Sequence, residues 1–102
     1  MGFAATSLGV ARAQFDAAIE LARKKSPQGL SAMKENSAVQ AEIGRTEAKL
    51  RRARAYLFAT AAEVWDDLVR GPITEAHRVA MRLAATSTIH QSTEIVDVAY
   101  HM

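Results

Sequence analysis

Few residues in this chain could do chemistry, and their spacing limits what that chemistry could be. Histidines stand at His77, His90 and His101. Their separations put no two on one helical face at metal-ligand spacing, and a hydrogen-bonded structural histidine is the expectation for His90. Glu94 and Asp97 form an i, i+3 carboxylate pair, and Asp66 and Asp67 are adjacent. General acid–base work needs a further titratable partner, and no histidine or third carboxylate joins either pair at motif spacing. Solvated surface is the expectation for both pairs. Serine-nucleophile motifs, a P-loop and a Gly-x-Gly-x-x-Gly turn are absent from the sequence.

The basic run Arg45, Lys49, Arg51, Arg52 and Arg54 is the densest charge feature. On a helix Arg45, Lys49 and Arg52 fall on one side, while Arg51 and Arg54 wrap away. Glu42 and Glu47 intersperse, and Glu47 with Arg51 makes a favourable i, i+4 pair. No aromatic residue is interleaved to stack on bases. The run reads as a solvated or intersubunit face rather than a nucleic-acid site.

The elements that position these residues are helices. About a fifth of the 102 residues are alanine, the best helix former, and the β-branched residues are too scattered for strands. The formal charge of +2 is too small to imply nucleic acid or an acidic membrane as partner. The chain contains no cysteine, which fits a reducing compartment. It shows no apolar run of about 20 residues and no signal-peptide pattern at its start. A cytoplasmic, soluble protein without membrane partners is expected.

Two breaks, Lys24-Lys25-Ser26-Pro27-Gln28-Gly29 and Arg70-Gly71-Pro72, divide the chain into three helical segments. The first, from about Phe3 to Lys25, aligns Leu8, Ala11, Phe15, Ala18, Ile19 and Ala22 on one apolar face. Gly9 lies inside it, where a close helix crossing would explain a glycine. The second opens on Ser37-Ala38-Val39-Gln40, a capping box with Gln40 reaching back. Val39, Ile43, Thr46, Leu50, Ala53, Leu57, Thr60 and Val64 then alternate four-three, with small and large layers interleaved along a bundle seam.

A second stripe, Ala55, Phe58, Ala62, Trp65 and Val69, demands cover from another domain or subunit. The third segment starts near Thr74 as N-cap and carries Ala76, Val79, Ala80, Leu83, Ala84, Ser87, Ile89, Val96 and Tyr100. It stops at Tyr100-His101-Met102 without a cap, as a truncated helix would. The fold expected is an all-α antiparallel bundle of three long helices, one domain over residues 1–102.

Taken in order, "LGVARAQFDAAIELARKK", a loop with Gly29, "SAVQAEIGRTEAKLRRARAYL" and "AHRVAMRLAATSTIHQSTEIVDVAYHM" resemble the C-terminal helical domain of the acyl-CoA dehydrogenase superfamily. The carrying elements are Leu8-Gly9-x-Ala11-Arg12, Val39-Gln40, Ala53-Arg54 and the alanine-rich third helix. The flavour is that of the flavin-dependent monooxygenase branch.

The resemblance implies a fragment of a flavoprotein, truncated at both ends, that contributes most of a four-helix bundle. Helix two would serve both its own bundle and a neighbouring subunit. It implies FAD or FMN in the intact parent and no flavin bound by the fragment. The partners implied are a homo-oligomer (a tetramer in the family, a helix-swapped dimer for the fragment) and the missing flavin-binding domains. The parent would be an oxidoreductase, and the fragment alone would be catalytically silent.

In the family the loop before helix two carries an arginine, a Phe-Gly pair and then a glutamine that reach the FAD pyrophosphate of the adjacent subunit. This sequence has Lys25-Ser26-Pro27-Gln28-Gly29 there and Ser37 near the glutamine's place. The resemblance therefore assigns the phosphate contact to Lys25 and Ser37, with Gln40 nearby. The rival expectation is a self-contained helical-bundle interaction protein without enzymatic activity.

Overall fold

The computed structural model describes residues 2–25 and 37–101, with side chains over 2–21 and 40–101. Within them lie three α-helices: α1 (Gly2–Lys25), α2 (Ser37–Arg70) and α3 (Glu75–His101). At 1.5 Å per residue the 34 residues of α2 span about 50 Å, which sets the long axis of a 59 × 20 × 17 Å rod. The radius of gyration is 17.2 Å, against about 13 Å for a compact domain of this length. Much of each helix therefore has solvent on two sides.

The helix α3 lies in the middle. It packs along both α1 and α2, whereas α1 and α2 touch little. At one level Ala4, Leu57 and Ala84 form one buried cluster. At the other, Leu8, Ala11 and Phe15 meet Leu50, Ala53 and Ile95. Residue numbers rise along α1 and α3 as they fall along α2, so α2 runs antiparallel to both. Phe15 and Ile95 are fully buried, each worth about 1.5–3 kcal/mol by area.

The seam expected on α2 is present. Thr46, Leu50, Ala53, Leu57, Thr60 and Val64 are buried and Ile43 packs against them, while the side chain of Val39 lies outside the described residues. Thr46 donates its hydroxyl to the Glu42 carbonyl at 2.8 Å, so a polar residue enters the seam at little cost. The second stripe is uncovered: Ala55, Phe58, Ala62, Trp65 and Val69 are all exposed.

Two expectations are corrected. Gly9 is exposed, and a Cβ added there meets nothing within 4 Å; it marks no crossing between helices of this chain. On α3 the buried residues are Ala84, Thr88, Ser92, Ile95 and Ala99, while Val79, Leu83 and Tyr100 are exposed. The physical reason is position. A central helix flanked on two sides needs small residues for close approach, and their hydroxyls return to the helix, as Ser92 does to the Thr88 carbonyl at 2.8 Å.

The break after α2 falls where expected. The Gly71 amide donates to the Asp67 carbonyl at 3.1 Å, closing the last turn. Thr74 caps α3 by accepting the His77 amide at 3.2 Å. The break at residues 26–29 lies outside the described residues.

Candidate functional site

A groove of about 610 Å³ lies between α1 and α2. It exists because these two helices barely meet while both lean on α3. Its floor is apolar (Leu8, Leu50, Phe58), Ala5 and Gly9 make the α1 wall low, and Arg12, Glu47, Arg51 and Arg54 form the polar rim. A second, smaller groove of about 300 Å³ runs between α1 and α3 and includes Phe3, Val10, Ile89 and Val96.

Charges at the rim of the larger groove are organised around one carboxylate. Glu47 Oε2 accepts from Arg12 Nη1 at 2.6 Å and from Arg51 Nε at 3.2 Å. Arg12 also reaches Asp16 at 3.3 Å. The hydrogen bond from Arg12 holds the Glu47 carboxyl below the usual carboxylate range, against a smaller opposing effect of burial. The Arg54 guanidinium sits 4.9 Å from the centroid of the Phe58 ring, a cation–π geometry. Three guanidinium groups and one carboxylate leave the rim cationic.

Two further members of the basic run pair with carboxylates. Arg45 pairs with Glu42 at 2.7 Å, and Lys49 reaches across to Glu94 of α3 at 2.8 Å. That bond draws the Glu94 carboxyl down. Glu94 thus serves as a tie between α2 and α3 rather than as half of a solvated pair. Sequence spacing missed this partner because it comes from another helix.

The histidines divide. His90 is exposed and does not pack on the buried face. His101 lies 2.8 Å from the Asp97 carbonyl through Nδ1. His77 bridges the corner between helices, its Nε2 at 2.8 Å from Asp67 Oδ2. A histidine therefore does join the Asp66-Asp67 pair, through the turn at Gly71-Pro72, although no motif spacing announces it. Among the described residues no group of three or more histidine, aspartate and glutamate side chains could hold a metal ion. No helix among them is long and apolar enough to cross a membrane.

The residues assigned to a phosphate stand at helix ends. Lys25 is the last residue of α1 and Ser37 the first of α2; their side chains lie outside the described residues. Gln40 is exposed in the first turn of α2, and that turn carries no acidic residue.

Comparison with known proteins accounts for this arrangement of long helices around little chemistry. The chain is 37% identical over 94 residues to "Putative acyl-CoA dehydrogenase YdbM" of Bacillus subtilis (strain 168). That match covers 87% of the chain and 24% of the relative, so the chain spans about a quarter of that protein's length. No solved structure matches it significantly. The profile of the acyl-CoA dehydrogenase C-terminal domain matches residues 1–102 throughout, and the chain belongs to that family.

Proposed function

We propose that the chain is the C-terminal bundle and assembly domain of a cytoplasmic flavin-dependent oxidoreductase, an acyl-CoA dehydrogenase or a related flavin monooxygenase, and that it is catalytically silent alone. The observation that carries this reading is the family match over the whole chain, combined with described side chains that form structural ion pairs and no catalytic constellation. The family generally uses FAD and is generally oligomeric. The bare stripe on α2 supplies the surface that an assembly domain needs.

In the intact protein, Lys25, Ser37 and Gln40 would contact a flavin phosphate of a neighbouring subunit through a cation, a hydroxyl and an amide at the positive end of α2. FAD, when bound, supplies the redox chemistry. This chain's residues would bind and orient its phosphate end. The departure from the Arg…Phe-Gly pattern in the preceding loop favours the monooxygenase-like branch.

Equilibrium dialysis of the purified chain against FAD and FMN tests the reading. The expected result is no retention tighter than micromolar; a stoichiometrically yellow chain overturns it. In the full-length flavoprotein, Lys25→Ala combined with Ser37→Ala should weaken FAD binding by about tenfold or more, the loss of one or two charge-assisted hydrogen bonds. Unchanged FAD affinity in that variant removes these residues from the cofactor site.

A further inference from the structure

Packing thins toward the start of α3. The first buried residue of that helix is Ala84, more than two turns after Glu75 opens it. Ile73, Glu75, Ala76, Arg78 and Val79 around the start are exposed. A helix end with so little apolar cover depends on its cap to stay wound.

That cap is an imidazole with both nitrogens engaged. His77 Nδ1 accepts the Thr74 amide at 3.0 Å, and the His77 amide donates to Thr74 Oγ1 at 3.2 Å. On the other side of the ring, Nε2 stands 2.8 Å from Asp67 Oδ2 of α2. A neutral ring serves both partners, accepting at Nδ1 and donating at Nε2. A ring with a second proton does not, because Nδ1–H then faces the Thr74 N–H, donor against donor. The same proton turns the Asp67 contact into an ion pair. It also places positive charge at a helix N-terminus, where the aligned peptide dipoles oppose it.

We propose that His77 is a proton-operated latch on the start of α3. With the ring neutral, α3 is capped and its first turn is tied to the end of α2. When the ring is protonated the cap opens and the first turn of α3 frays from Thr74, while the ring stays with α2 through Asp67. The proton thus moves the hold of the histidine from one helix to the other. The latch belongs to the corner itself and does not rest on the flavoprotein reading.

The charged surroundings of the ring are few. Asp67 is the carboxylate in contact with it. Asp66 and Arg70 on α2, and Glu75 and Arg78 on α3, are the other charged residues of these turns, all exposed. Among the described residues α1 stops short of the corner, since its Ala4 lies level with Leu57 and Ala84. Histidine is the side chain that ordinarily changes charge between about pH 5 and pH 8, which is the window in which to follow the latch.

Proton–nitrogen NMR of the chain across that window tests it. The Cε1 proton of His77 reports the second proton, and the Thr74 amide should shift upfield with the same midpoint. Exchange of that amide with water should rise about fivefold beyond the intrinsic pH dependence of amide exchange, the worth of one cap. The Gly71 amide, bonded to the Asp67 carbonyl at 3.1 Å, should keep its protection, because the last turn of α2 does not open. His77→Gln accepts from the Thr74 amide at every pH in the window and should abolish the response.

A Thr74 amide that stays fixed while the ring titrates overturns the latch, as does a response that persists in His77→Gln. A ring that takes no second proton down to pH 5 overturns it too. If Gly71 loses protection together with Thr74, the whole corner melts and the separate hold on α2 is overturned.

Discussion

Arg12 Nη1 lies 2.6 Å from Glu47 Oε2, and Arg51 Nε approaches the same oxygen at 3.2 Å. Arg12 belongs to α1 and Glu47 to α2, helices that otherwise touch little. One carboxylate oxygen therefore ties together two walls whose apolar packing goes mostly through α3. Glu47 is less exposed (29%) than Arg12 (44%) or Arg51 (79%), so the anion sits inside a cationic fork. The tie fixes the spacing of the groove that the two helices define.

That arrangement sets a pH dependence. The Glu47 carboxyl is held below its ordinary value chiefly by the Arg12 hydrogen bond. A lowered folded-state value adds stability that is fully present above the unfolded carboxyl range and is lost as pH falls through the folded value. Urea titrations between pH 6 and pH 2.5 should show this loss, about 0.5–1 kcal/mol for a partly exposed pair. Glu47→Gln should flatten it. Glu94, drawn down by Lys49, titrates in the same direction and leaves a residual slope. A variant slope equal to that of the unmodified chain would show that the fork contributes nothing to stability.

Thr88 is 1% exposed in the middle of α3, and its hydroxyl has no hydrogen-bond partner among the described residues. Its neighbours behave differently: Ser92 and Thr93 donate to the carbonyls one turn back, at 2.8 and 3.0 Å. A buried hydroxyl without a partner costs about 1–3 kcal/mol of desolvation. Thr88→Val keeps the shape and removes the hydroxyl, so it should stabilise the chain by about 1 kcal/mol. Thr88→Ala leaves a hole and should not. Chemical denaturation of the three proteins checks the order; a destabilised valine variant would show that the hydroxyl is satisfied in solution.

Much of this was legible in the sequence because hydrophobic periodicity is a local signal. The four-three alternation from Ile43 to Val64 and the bare stripe through Phe58, Trp65 and Val69 are set by steps within one helix. The α3 face was harder. The expected set mixed small residues with Val79, Leu83 and Tyr100; its Ala84 is buried, but the three larger residues are exposed. The centre of the bundle also takes Thr88, Ser92, Ile95 and Ala99, mostly small residues that crowd least where two helices press from different sides. Gly9 misled for the complementary reason, since a glycine reads the same beside a neighbouring helix and beside open space. The Lys49–Glu94 and Asp67–His77 pairs were out of reach, because no intrahelical spacing encodes which helix will lie opposite. A run of small and hydroxyl residues at helical steps, Ala84-Thr88-Ser92, was the available sign that α3 is central.

The corner joining α2 to α3 depends on one histidine. The Thr74 amide donates to His77 Nδ1 at 3.0 Å, and the His77 amide donates to Thr74 Oγ1 at 3.2 Å. This is a reciprocal capping box in which an imidazole stands where glutamate or glutamine is usual. With Nδ1 accepting, the ring proton belongs on Nε2, which then donates to Asp67 Oδ2 at 2.8 Å. His77 thereby caps α3 with one nitrogen and fastens the last turn of α2 with the other. Nitrogen NMR of the neutral ring should show an unprotonated Nδ1 and a protonated Nε2. His77→Ala should cost about 1 kcal/mol, typical of a lost cap, and Thr74→Ala a similar amount. The double variant should cost less than their sum, because the two residues share the box. His77→Gln supplies an acceptor to the Thr74 amide and should recover most of the loss. A protonated Nδ1, or strictly additive losses, would remove the histidine from the cap and leave Pro72 and Thr74 alone to start the helix.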